Sequence, residues 1–222
     1  MTVACPRGRA GNNKFVGNRD MIAQMKFQKI LTYISLIVAA LTFVFALIFL
    51  SGNLSNLMYY IGKNWDGRYQ YDGADGFLLP AQNFVSALVT LSIIFICVTV
   101  TLFITASNKR RNYYITNYIA VGLNILMSVV VALFGIIYLS ILIGDFYSID
   151  WEALNSFIER LKNANNAYKE VSQSPGMFIV GYILFLVVLA NGVAWALNLI
   201  WKIKLMKGEK ALLANGLNKE VA

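Results

Sequence analysis

Of the chain's 222 residues, 58% are apolar and only 14% are charged, too few to clothe a soluble globule of this length. Its 19 lysines and arginines exceed its 11 acids, but their placement along the chain reads as a membrane-topology signal and not as a nucleic-acid-binding surface. The lack of histidine excludes bis-imidazole haem, most transition-metal sites and histidine acid–base chemistry, and no CxxC pair is present for thiol redox work.

Residues 1–29 form a basic tail, with Arg7, Arg9, Lys14, Arg19, Lys26 and Lys29 set against Asp20 alone. Four charge-free windows follow, bounded by Lys29 and Lys63, Gly76 and Lys109, Arg111 and Asp145, and Glu170 and Lys202. Each exceeds the roughly 20 apolar residues that carry a helix across the hydrocarbon core. In lipid the backbone must satisfy its own hydrogen bonds, so the expectation is an all-α membrane protein with transmembrane helices over 30–50, 84–106, 113–143 and 177–201. The first span is longer than the roughly 7 to 15 residues of a signal-peptide core and is expected to stay as an anchor.

Between the first two spans, the loop 51–83 holds "NWDGRYQYDGADG", with Asp66, Asp72 and Asp75. It fails as a calcium loop, because Arg68 and Gln70 stand where oxygen ligands belong and no closing glutamate follows. A phosphatidyltransferase signature fails too, since the span after Asp72, Asp75 and Gly76 carries no acid. The stretch is expected to be a solvated turn with Trp65 and Asp66 as a partner-contact candidate. The short link between spans two and three carries Lys109, Arg110 and Arg111.

In the loop 144–176, apolar residues recur at helical spacing from Trp151 through Leu154, Phe157, Ile158 and Leu161 to Tyr168, after Asp150 as a cap. This predicts an extracellular amphipathic helix with two uses, docking a partner or covering its own helices. Residues 202–222 form a second basic tail. Since positive residues mark the cytoplasmic side, both termini and the short link are expected inside and both long loops outside. Lys109, Arg110, Arg111, Lys202 and Lys204 are then expected at the membrane surface, against anionic lipid headgroups.

Within the spans the notable polar residues are Asn117 and Asn124, two turns apart on span three, and Asn191 and Asn198, two turns apart on span four. Asn117 pairs in depth with Asn198, and Asn124 with Asn191, so they are candidates either for helix packing or for a pore lining. Small residues at Ala190, Gly192, Ala194 and Ala196 are expected to allow close approach. Cys97 is expected to pack as a small apolar residue, and Tyr59, Tyr60, Tyr113, Tyr114 and Trp201 to form interfacial belts. "FALIFLS" at Phe45–Ser51 matches "FGIIYLS" at Phe134–Ser140, which reads as two tandem hairpins.

The functional expectation is a non-catalytic accessory or scaffold subunit with a protein partner or a second copy of itself, and without cofactor, metal or nucleic acid. The alternative is an oligomeric channel or facilitator lined by neutral polar side chains. The cysteine-free loops suit a bacterial plasma membrane.

Overall fold

The computed structural model describes residues 9–62, 74–106, 114–163 and 169–220, with side chains at 19–60, 76–106, 114–163 and 169–211. It contains α1 (Arg9–Ile48), α2 (Asn53–Gly62), α3 (Ala74–Ala106), α4 (Ile115–Ser148), α5 (Trp151–Asn163) and α6 (Gly176–Glu220). No strand occurs among the described residues. Stretches of α1, α3, α4 and α6 give four segments long and apolar enough to cross a membrane.

Two of these helices overrun the expected spans. α1 is already helical from Arg9, well before Ile30, and α6 runs on to Glu220 through the basic residues after Trp201. Alternating lysines with apolar and amide residues at helical spacing lets one face stay polar while the other packs, so the charge boundary is not the helix boundary. The first loop also contains α2. Gly52 reverses the chain between α1 and α2 in the left-handed region at φ 58°, which favours a residue without Cβ, and its carbonyl accepts from Asn56 N–H at 3.0 Å. The two matched segments end differently as a result: α1 stops at Ile48, whereas α4 continues past Ser140 to Ser148.

The chain forms two compact units. The first comprises Met1–Leu36, Val98–Leu126 and Ala190–Ala222; the second comprises Ile37–Cys97 and Met127–Leu189. The second unit has an aromatic core. Phe49 is fully buried with ring centroids 5.5 Å from Phe45, 5.1 Å from Phe84 and 5.7 Å from Phe178, and Phe146 meets Phe77, Phe178 and Trp151. These tilted and edge-on pairs are the geometry that ring quadrupoles favour. Close helix approach falls at Gly135 and Gly181; of the small residues expected to allow it, Gly192 is buried, Ala194 and Ala196 are half-buried and Ala190 is exposed. A Cβ at Gly135 would overlap the Phe185 ring, and one at Gly181 would reach within 2.5 Å of Leu139 and 2.7 Å of Phe45.

α5 forms as its spacing predicts. Asp150 caps it, its carboxylate accepting from Ala153 N–H at 3.0 Å and its carbonyl from Leu154 N–H at 3.1 Å. Its apolar face is turned onto the second unit's own core: Trp151 and Leu154 are buried, Phe157, Ile158 and Leu161 pack against the cluster, and the Trp151 indole donates to the Phe146 carbonyl at 3.0 Å. Covering its own unit removes this apolar stripe from water or headgroups, which is the second of the two uses expected of it.

The extended residues 169–172 are held against α2. Asn53 donates to the Ser172 carbonyl at 2.6 Å and accepts from Ser172 N–H at 2.8 Å, and Asn56 donates to the Glu170 carbonyl at 2.9 Å. The Tyr60 hydroxyl donates to the Lys169 carbonyl at 3.0 Å and accepts from Lys169 N–H at 2.6 Å. Positions 53, 56 and 60 fall on one helical face, so α2 gives a strand-like edge to a segment that has no strand to pair with. Tyr60 is therefore buried in a structural role and not in an interfacial belt, while Tyr59 lies under Lys169, 4.6 Å from ring centroid to Nζ.

Candidate functional site

The polar side chains of the first unit converge in its interior. From α1, Gln24 donates both amide hydrogens, one to Gln28 Oε1 at 3.0 Å and one to Asn198 Oδ1 on α6 at 3.1 Å. Gln28 donates to Asn117 Oδ1 on α4 at 2.9 Å, and Asn117 Nδ2 donates to the Thr105 hydroxyl of α3 at 2.9 Å. Lys202 of α6 donates to the same Asn117 oxygen at 2.5 Å, and its ammonium lies 4.3 Å from the centroid of the Tyr118 ring. Asn117 Oδ1 thus receives two donors, the capacity of a carbonyl oxygen, and stretches of all four long helices are tied through one side chain.

A second set lies further along α1 and α6. Ser35 donates to Asn191 Oδ1 at 2.8 Å, and the fully buried Trp195 indole donates to Ser35 Oγ at 2.5 Å. Thr32 returns its hydroxyl to the Gln28 carbonyl at 2.8 Å, satisfying itself within α1. Asn124 is fully buried with both amide atoms unpartnered among the described residues, as is Asn198 Nδ2. Buried amides of this kind are where ordered water completes a network.

The four asparagines are all buried, and the hydrogen bonds found for them go to other side chains and not to one another. Asn117 and Asn198 are linked through Gln24 and Gln28 of α1, and Asn191 reaches Ser35 of α1. Helix α1, read only as a basic tail before Ile30, supplies the missing amides. The signal was present: Gln24, Gln28, Leu31, Thr32 and Ser35 share one helical face, all buried, while Lys26 and Lys29 lie exposed.

Lys202 corrects a second expectation. It is fully buried beside an amide oxygen and a ring, not at the membrane surface, because its position on α6 shares the inward face with Asn191, Trp195 and Asn198. Lys204 is exposed, as are Tyr114 and Cys97, the last expected to pack. Trp201 is half-buried with its ring 5.9 Å from that of Phe27. Trp65, Asp66, Asp72, Tyr113, Tyr168, Lys109, Arg110 and Arg111 lie outside the described residues, and so does the Asp75 side chain.

Many polar side chains of the long helices are turned inward, and much of the outer surface is apolar. Ile30, Leu41, Ile119, Ile137, Leu186 and Leu197 are each at least half exposed, an arrangement that water would oppose and lipid accepts. Together with the four long apolar helices, this defines an integral membrane protein. Compared with protein families, curated proteins and solved structures, the chain matches none.

Proposed function

We propose that this is a non-catalytic accessory or scaffold subunit of a membrane complex, seated in a bacterial plasma membrane with both termini and the 107–113 link cytoplasmic. The observation that supports it is the tie through Asn117: one of the four asparagines that were candidates for a pore lining has its amide engaged by Gln28, Thr105 and Lys202. A side chain so occupied sets helix register and has no hydrogen-bonding capacity left on its oxygen for a solute. The orientation rests on the basic residues of the tails and link against the acids of the two loops. With its apolar face covered, α5 offers a partner its other face, where Glu152, Asn155 and Glu159 are exposed.

A second reading, an oligomeric channel or facilitator, draws on Asn124, whose buried amide has no partner among the described residues. Two measurements separate them. On the scaffold reading, proteoliposomes of the purified chain leak ions and small solutes no faster than protein-free vesicles. Crosslinking in native membranes then recovers one recurrent partner, and Glu152→Lys with Glu159→Lys lowers that recovery. Solute flux that changes with Asn124→Leu would overturn the scaffold and leave the channel.

A further inference from the structure

In the first unit, a cleft of about 130 Å³ opens between α1 and α3, lined by Lys29, Thr32, Tyr33, Phe103 and Ala106. Its walls are unlike its rim. Tyr33 and Phe103 stand edge to face at 5.6 Å, both substantially exposed, and Thr32 and Ala106 close the floor. The Thr32 hydroxyl is turned to its own helix backbone, so it adds no polar demand to that floor. Lys29 is exposed at the rim and forms no ion pair among the described residues, with Lys26, also exposed, one turn before it. A lysine stem packs along apolar surface while its ammonium reaches to the headgroup level, so Lys29 suits a cleft that is apolar within and charged at its edge.

We propose that this cleft is a binding site for an anionic phospholipid, with the headgroup phosphate on Lys29 and the start of an acyl chain between Tyr33 and Phe103. The proposal is independent of the scaffold reading and needs only that the four helices lie in a bilayer. Charge complementarity selects the headgroup: a cationic rim one helical turn deep favours a net negative lipid over a zwitterionic one. The aromatic walls select the rest of the molecule, because rings with a polar edge sit at headgroup level and give a chain apolar contact below it. A soluble phosphate would meet the ammonium but leave Tyr33 and Phe103 uncovered.

The test labels the full-length purified protein, in detergent micelles, with phosphatidylglycerol carrying a photoactivatable group on its acyl chain, and maps the labelled peptides. Labelling concentrated around Tyr33 and Phe103, and absent with the matching phosphatidylcholine at the same concentration, is the expected result. Lys29→Ala raises the concentration for half-labelling about fivefold, the effect of losing one basic side chain beside an anionic surface. Lys29→Arg restores it, and Lys162→Ala, at an exposed lysine of α5 in the second unit, leaves it unchanged. Equal labelling by both lipids, indifference to Lys29→Ala, displacement by glycerol 1-phosphate, or crosslinks from the cleft to a second copy of the chain would each overturn the proposal.

Discussion

The two units are held by different chemistry. In the first, Gln24, Gln28, Asn117, Asn198, Ser35, Asn191 and Trp195 bond from helix to helix, whereas in the second, phenylalanines interlock, Ser140 and Tyr182 join α4 to α6 through their hydroxyls, and the side-chain bonds at α2 hold backbone. In lipid, apolar burial gives little net drive for helices to associate, so both units depend on contact quality. Rings gain by shape and dispersion, while amides gain by direction. Register is accordingly specified more densely in the first unit, because an amide shifted by one residue loses its partner and faces apolar surroundings, whereas a ring shifted slightly keeps most of its contacts.

That contrast is broken most severely at Asn117. Asn117→Leu removes the acceptor of both Gln28 and the buried Lys202 ammonium and is expected to cost about 3 kcal/mol, read from unfolding in mixed micelles. Phe49→Ala in the second unit leaves a cavity among Phe45, Phe84 and Phe178. It is expected to cost about 2 kcal/mol, below the roughly 3 to 5 of such truncations in soluble cores because lipid offers the ring nearly what the core does. If Phe49→Ala proves the costlier of the two, the division of labour between the units is reversed.

A smaller effect sharpens the role of α2. Asn53→Ala removes both bonds to the Ser172 backbone and is expected to speed hydrogen exchange at the Ser172 amide about fivefold, the factor for about 1 kcal/mol of local opening, with the global transition unmoved. A shift in global stability instead would make this contact part of the second unit's core.

Much of the architecture was legible from charge-free windows, since a span in lipid must exclude charge and be helical. The α5 helix and its Asp150 cap were legible for the same local reasons: spacing and a side-chain oxygen ahead of it. What periodicity does not encode is where an apolar face goes, and α5 turned its own onto Phe146 and the second unit's core. The candidate site was half visible. The four asparagines stood out against apolar surroundings, but Gln24 and Gln28 were masked by neighbouring lysines, and Lys202 resembled any flanking base until its position on the inward face of α6 was seen. Asn53 and Asn56 gave no signal because their partners are backbone groups more than a hundred residues away.

The central claim is that the buried amides of the first unit tie helices to one another. A double-mutant cycle on Gln24 and Asn198, using Gln24→Leu, Asn198→Leu and the pair, measures one such tie between α1 and α6 directly. The account predicts a favourable coupling of about 0.6 to 1.7 kcal/mol, between the average and the largest value for interhelical side-chain bonds in a bilayer. Additive costs with no coupling would contradict it.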